Sequence, residues 1–202
     1  MSTLPVVETF HSLQGEGLHA GRSAFFIRLG GCTVGCSWCD TKHSWPQAAH
    51  PSLELQALAS EAATAQQQGA AFVVITGGEP LHHNLDAFCQ VLAEVAPSLP
   101  RHLETSGVDP LSGAFHWITL SPKAHKPPTQ ELLQCCNELK AVVHGPEDLT
   151  FAEAMAARAP QAQWLLQPGW ESSQGQDLAV EFVRSHPGWR LSLQSHKWLG
   201  VR

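Results

Sequence analysis

Hydrophobic residues fall into short runs separated by longer stretches of mixed pattern. Seven runs read as strands: 24–29 (AFFIRL), 72–76 (FVVIT), 101–105 (RHLET), 117–121 (WITLS), 139–143 (LKAVV), 164–167 (WLLQ) and 190–194 (RLSLQ). The intervening patterns predict helices over 53–68, 84–95, 129–137, 148–158 and 176–186. In the first of these, Leu55, Leu58, Ala59, Ala62 and Ala63 recur at helical spacing, and Gly69 stands where such a helix ends. Strand and helix in alternation predict an α/β fold: a mainly parallel sheet with crossover helices. No repeat, low-complexity tract or obvious linker divides the chain, so residues 1–202 are expected to form one domain.

The polar motifs follow the strands with regularity. TGGEP (76–80), ETSG (104–107), SPK (121–123), HGPED (144–148), QPG (167–169) and SHK (195–197) each close a predicted strand. In parallel α/β folds the carboxyl ends of the strands are where loops converge and ligands bind. Six such placements imply one shared site.

Composition narrows the class. With 43% hydrophobic and 15% charged residues the chain has the make-up of a soluble globular protein, and a net charge of −6 carries no basic footprint for nucleic acid. No apolar run approaches the roughly 20 residues of a membrane span. The start, MSTLPVVETFHSLQGEG, lacks the basic and apolar regions of a secretory signal. A cytoplasmic location is therefore expected, with six reduced cysteines that favour metal or catalytic roles over disulfides.

Three of those cysteines, Cys32, Cys36 and Cys39, lie on one short loop spaced C-x3-C-x2-C. Zinc with His43 as fourth ligand is one reading, since zinc accepts three cysteines and a histidine. It would put all four ligands within twelve residues, whereas structural zinc sites usually pair two knuckles from separate segments. A [4Fe–4S] cluster fits better, because it is held by thiolates. Three local cysteines leave one iron open for a substrate or cofactor. Cys89, in a helical pattern, and Cys135 and Cys136, near a helix end, read as structural thiols.

C-x3-C-x2-C followed by GGEP (77–80) at a strand end is similar to the radical S-adenosylmethionine (SAM) superfamily. In that superfamily SAM chelates the open iron, and a 5′-deoxyadenosyl radical removes a hydrogen atom from the substrate. Over nearly the whole chain the resemblance is closer to the 7-carboxy-7-deazaguanine synthases. It rests on FHSLQGEG (10–17), AFFIRLGGC (24–32), CSWCDTKHSW (36–45), TGGEP, ETSG, SPK, QP (167–168) and LQSHKWLG (193–200). The family converts 6-carboxy-5,6,7,8-tetrahydropterin into 7-carboxy-7-deazaguanine, a ring contraction that releases ammonia, in the deazapurine pathway to queuosine. It uses a [4Fe–4S] cluster, SAM and Mg²⁺, and its members are homodimers on an abbreviated TIM-like barrel.

What the resemblance implies for residues is specific. Leu13, Gln14, Gly15, Glu16, Arg28, Thr76 and His196 match substrate contacts. Glu16 can accept paired hydrogen bonds from the donor edge of a pterin, and Arg28 can clamp the substrate carboxylate. Gly78 and Glu79, Ser121, Pro122 and Lys123, and Gln167, Pro168, Gly169 and Trp170 match SAM-binding loops. The glycines let backbone approach the methionyl ammonium, with Glu79 helping to hold that end. Cys32, Cys36 and Cys39 hold the cluster. Mg²⁺ is assigned to Thr41 rather than to Asp40, which stands behind it or fixes the turn. The other eleven histidines receive no role, and the tryptophans are read mainly as packing.

The cluster also implies a flavodoxin-like or ferredoxin-like reductant. Two other readings stand beside this one. A radical SAM activase, making a glycyl radical on a partner protein, shares the cysteine loop and GGEP but leaves LQGEG and SHK unexplained. A zinc-stabilised interaction module or simple electron carrier would gain nothing from SAM.

Overall fold

In the computed structural model, which describes residues 2–202, the chain opens on a strand that the hydrophobic pattern does not announce. This strand, β1 (Thr3–Leu13), pairs antiparallel with β2 (Ser23–Leu29) and, through its first residues, with the short β3 (Ser52–Glu54). A register shift between Val6 and Glu8 interrupts β1, so buried and half-exposed positions do not alternate along it. Such a bulge erases the period-2 signal by which strands are read.

From β2 onward the parallel strands and the helices between them are the predicted ones, with β3 and a last short helix in addition. Helix α1 (Leu55–Gln67) leads to β4 (Val73–Gly77), α2 (Asp86–Val95) to β5 (Arg101–Thr105), and β6 (Trp117–Leu120) follows directly. Helix α3 (Gln130–Cys135) leads to β7 (Glu138–Val143), α4 (Pro146–Arg158) to β8 (Gln163–Pro168), and α5 (Ser173–Ser185) to β9 (Trp189–Leu191). A last short helix, α6 (Ser195–Leu199), closes the chain. The sheet order is β3-β1-β2-β4-β5-β6-β7-β8-β9, with every pair from β2 to β9 parallel. It is an α/β partial barrel of the abbreviated TIM-like type that the resemblance implies. Its open side is spanned by the C-terminal segment: Ser195 N–H donates to Gly15 O (2.9 Å), and Gly17 N–H donates to Ser192 Oγ (2.9 Å).

The predicted boundaries shift by a few residues for local reasons. Thr129 accepts from Leu132 N–H as the cap of α3, which stops at Cys135 rather than 137. Helix α4 begins at Pro146, two residues early, because Asp148 Oδ2 accepts the N–H groups of His144 (2.7 Å) and Gly145 (3.0 Å). Much of HGPED is thus a helix cap. The strand expected over 190–194 ends at Leu191, freeing 192–194 for the site.

Strand alternation divides the interior in two. Ile27, Ile75, Leu103, Leu120, Leu139 and Leu166 face outward into a core shared with the helices. Small residues on those helices, among them Ala59, Ala62, Ala152, Ala156 and Ala179, let them lie close on the sheet. The opposite face turns into the barrel, where the residues between those positions are largely polar: Arg28, Thr76, Glu104, Thr119, Lys140 and Gln167 all border one cavity. Cys89 and Cys136 are buried in the helix-side core as structural thiols, whereas Cys135, at the end of its helix, is exposed rather than packed.

Candidate active site

At the carboxyl edge of the parallel strands lies a cavity of about 780 Å³. All six strand-end motifs contribute to its wall, as do the β1–β2 loop and the cysteine loop. Of the residues that the family resemblance assigns to the site, the cavity collects every one except Pro122, which is buried behind Ser121 and Lys123.

The β1–β2 loop carries a firmly held carboxylate. Glu16 forms an ion pair through Oε2 with Lys140 of β7, and its Oε1 accepts from Gln194 Nε2 (2.8 Å). Burial works to raise the Glu16 pKa, but the Lys140 charge and the hydrogen bonds from Lys140, Gln194 and Gln167 outweigh it and hold the carboxyl at about 2. Lys140 is held above its ordinary value: burial works against its charge, but Glu16, Glu104 and Glu138 surround it. Gln14 donates to Glu104 Oε1 (2.8 Å) and accepts from Glu16 N–H (3.1 Å), and Thr76 donates to Glu104 Oε2 (3.3 Å). Gly15 is required by packing, since a Cβ there would lie 2.6 Å from Cγ and 2.7 Å from Cβ of His196.

Arg28 is half-committed. Its Nε donates to Glu8 (3.0 Å), which also pairs with Arg202 (3.1 Å), while both arginines lie against the Phe10 ring. Among the described residues the Nη groups of Arg28 have no hydrogen-bond partner, so the clamp face of the guanidinium remains available toward the cavity.

Cys32, Cys36 and Cys39 all border the cavity. Burial pushes the Cys32 and Cys36 thiols up, with Lys123 pulling Cys36 back down. Among the described residues no three His, Cys, Asp or Glu side chains draw together as a single ion would require. His43, unlike the three cysteines, does not border the cavity, and its carbonyl accepts from the half-buried His50 ring (3.0 Å). Gly78 seats the GGEP turn on the cysteine loop: a Cβ there would fall 2.9 Å from Cys32 Cβ, and Glu79 N–H donates to Gly31 O (2.9 Å). The donor chemistry and this close seating suit a cluster held by three thiolates at the cavity wall.

Glu79 is otherwise occupied than the sequence suggested. Its Oε1 accepts from Leu81 N–H (3.1 Å) and Thr105 Oγ1 (2.5 Å); its Oε2 accepts from both the N–H (2.8 Å) and hydroxyl of Ser106. Four donors fill the carboxylate, so Glu79 ties the GGEP turn to ETSG and leaves the glycine backbone to face the cavity. Asp40 pairs with Lys197 Nζ (2.6 Å), bridging the cysteine loop to α6, and both Asp40 and Thr41 border the cavity. Lys123, whose charge burial disfavours, donates to Ser121 (2.8 Å).

Sequence reasoning missed Lys140, Glu104, Gln194 and Trp38, while Trp170 was already matched to a SAM-binding loop. Trp38 and Trp170 border the cavity while partly exposed, and Trp198 lies edge-on to Trp170, so these three are not simply packing. The signal for Lys140 was present: a lysine between Leu139 and Ala141, in a parallel strand covered outside by helices, has only the barrel interior to face.

The comparisons with known proteins agree with this geometry. A family model described as a 4Fe-4S single cluster domain matches residues 13–155. The 7-carboxy-7-deazaguanine synthase of Prochlorococcus marinus is 55% identical, with both chains covered in full, and that of Escherichia coli is 32% identical over 98% of each chain. The crystal structure of QueE from Escherichia coli superposes with a TM-score of 0.82 at 31% identity, covering 96% of this chain and 95% of that one. With the cysteine loop, the QGEG loop and the GGEP turn meeting at one cavity, the chain belongs to the 7-carboxy-7-deazaguanine synthase family.

Proposed function

We propose that this cavity converts 6-carboxy-5,6,7,8-tetrahydropterin into 7-carboxy-7-deazaguanine with release of ammonia, as a radical SAM carbon–nitrogen lyase of deazapurine biosynthesis. The observation that carries the reading is the convergence of three thiols, the GGEP backbone and an ionised Glu16 on one cavity wall. Cys32, Cys36 and Cys39 would hold the [4Fe–4S] cluster. When bound, the cluster and SAM supply the radical that removes a hydrogen atom from the substrate.

The remaining work belongs to the chain. Glu16 accepts from the 2-amino and ring N–H groups of the pterin on its cavity side, its Oε2 held by Lys140 and its Oε1 by Gln194, with the Gln167 amide beside them. The Nη face of Arg28 takes the substrate carboxylate, while Leu13, Gln14, Gly15, Thr76 and His196 complete the substrate wall. Gly78, Ser121, Lys123 and the 167–170 loop form the SAM side, with Glu79 and Pro122 supporting it from behind. Thr41 offers its hydroxyl to Mg²⁺. We read residues 1–202 as one radical SAM domain acting in the cytoplasm, as a homodimer and with a flavodoxin-like or ferredoxin-like reductant.

Variants test the assignments. Glu16→Ala and Arg28→Ala are expected to load a cluster and cleave SAM as the parent does, while kcat/KM for the pterin falls by roughly 10- to 100-fold, the size of a lost charge-assisted hydrogen bond. Full activity of Arg28→Ala at limiting substrate would remove the carboxylate clamp.

A further inference from the structure

Lys140 is 4% exposed, sits in the middle of β7, and faces three carboxylates: Glu16 from the β1–β2 loop, Glu104 from β5 and Glu138 from its own strand. Lys123, beyond β6, feels the Lys140 charge. A buried ion pair of this kind is a poor source of stability, since well-packed apolar residues usually do as well. Here, moreover, the carboxylate it engages opens onto a cavity and not onto packed core.

The division of labour around Glu16 is the informative feature. Lys140 takes one side of Oε2 and Gln194 one side of Oε1, so the plane of the carboxylate is set from both ends. Beyond these two, only the Gln167 amide competes for the acceptor directions that face the cavity, and neither oxygen carries a proton. We propose that Lys140 is a specificity-determining positioning residue: it keeps Glu16 a fixed, acceptor-only reader, so that the cavity takes bicyclic rings presenting two adjacent N–H donors and rejects rings presenting a carbonyl there. This rests on the pterin reading of the site and extends it to a residue that does not itself touch the ring edge.

Loss of the ammonium has a definite consequence. Burial would then dominate at Glu16 and raise its pKa, so that part of the population carries a proton at neutral pH and turns one acceptor into a donor. Affinity for a two-donor ring should fall, and should recover as pH rises and the proton leaves. Nothing comparable is expected of the parent, in which Glu16 is ionised throughout the usable range.

The test is a binding titration of the cluster-loaded protein with 6-carboxytetrahydropterin and with its 2-oxo analogue, which carries a carbonyl in place of the amino group, from pH 6 to 9. Parent, Lys140→Met, Lys140→Gln and Lys140→Arg are compared, together with the Glu16→Gln and Lys140→Met/Glu16→Gln pair. The parent and Lys140→Arg should prefer the amino ring at all pH values. Lys140→Met should bind it ~10-fold or more weakly at pH 6, regain affinity toward pH 9, and discriminate less between the two rings. Glu16→Gln should add little further loss in the double variant, because Lys140 acts through Glu16. Lys140→Gln, which keeps the side-chain length and one hydrogen bond, serves should the methionine variant fail to fold, and should show the same pH trend. Parent-like affinity in both neutral variants would overturn the proposal, as would a pH-independent loss shared equally by the two rings. Failure of the parent itself to bind the pterin would instead overturn the reading of the substrate, and the role of Lys140 with it.

Discussion

Glu79 is the group whose removal has the most calculable effect. It is 1% exposed and receives four hydrogen bonds, two from backbone N–H groups and two from hydroxyls. Glu79→Ala leaves the amides of Leu81 and Ser106 buried without these partners, each costing about 1–3 kcal/mol, while the hydroxyls can turn elsewhere. The expected loss is about 3–5 kcal/mol, a large part of the ~5–15 kcal/mol that holds a domain together. At roughly 2–4 °C per kcal/mol for a chain of this size, the Tm should drop by about 6–20 °C. Glu79→Gln keeps one acceptor oxygen and should lose about half as much. Urea unfolding of the cluster-free protein measures this without interference from metal. A loss below ~1 kcal/mol for the alanine variant, or equal losses for the two, would refute the account of Glu79 as the tie between the GGEP and ETSG turns.

Other expectations can be checked separately. Cys36→Ala should yield protein that gains no cluster absorbance on reconstitution and cleaves no SAM; retention of a cluster with the parent's spectrum would remove Cys36 from the ligand set. Gly15→Ala must displace the His196 ring, so it should raise KM for the pterin while cluster loading stays unchanged, as read by iron content and steady-state kinetics. Thr41→Ala should weaken the response of turnover to added Mg²⁺, and an unaltered response would exclude Thr41 from the metal. His102, stacked between the Phe72 and Trp117 rings, is pushed by burial down to about 3. It stays neutral when folded, whereas the unfolded chain binds its proton below about pH 6.5, so stability should fall as pH drops from 6.5 toward 3, by roughly 1.4 kcal/mol per unit. Denaturation of His102→Phe beside the parent across that window should show a shallower slope, and identical slopes would contradict the burial argument.

The seven parallel strands were legible because each is a short apolar run ended by a polar motif, and the helices because their apolar faces keep one period. What escaped had physical causes. Strand β1 is broken by a register shift and carries Glu8 and Ser12 at half-exposed positions and His11 at an exposed one, so neither alternation nor a continuous run appears. Lys140 and Glu104 look like solvent-facing charges when their strands are taken one at a time. Only the closure of the sheet, with helices on the outer face, sends them inward to the cavity. Asp40 and Lys197 meet across 157 positions, and Glu16 and Gln194 across 178, pairings that no local pattern announces. The site residues lying in motifs, by contrast, were gathered almost completely, because strand ends in a parallel sheet share one edge.

The most direct measurement is an anaerobic assay of the reconstituted protein with dithionite, SAM and Mg²⁺, with and without 6-carboxytetrahydropterin, followed by mass spectrometry. The account predicts 7-carboxy-7-deazaguanine in the presence of the pterin and none in its absence. Slow SAM cleavage indifferent to the pterin, with no deazaguanine formed, would contradict it.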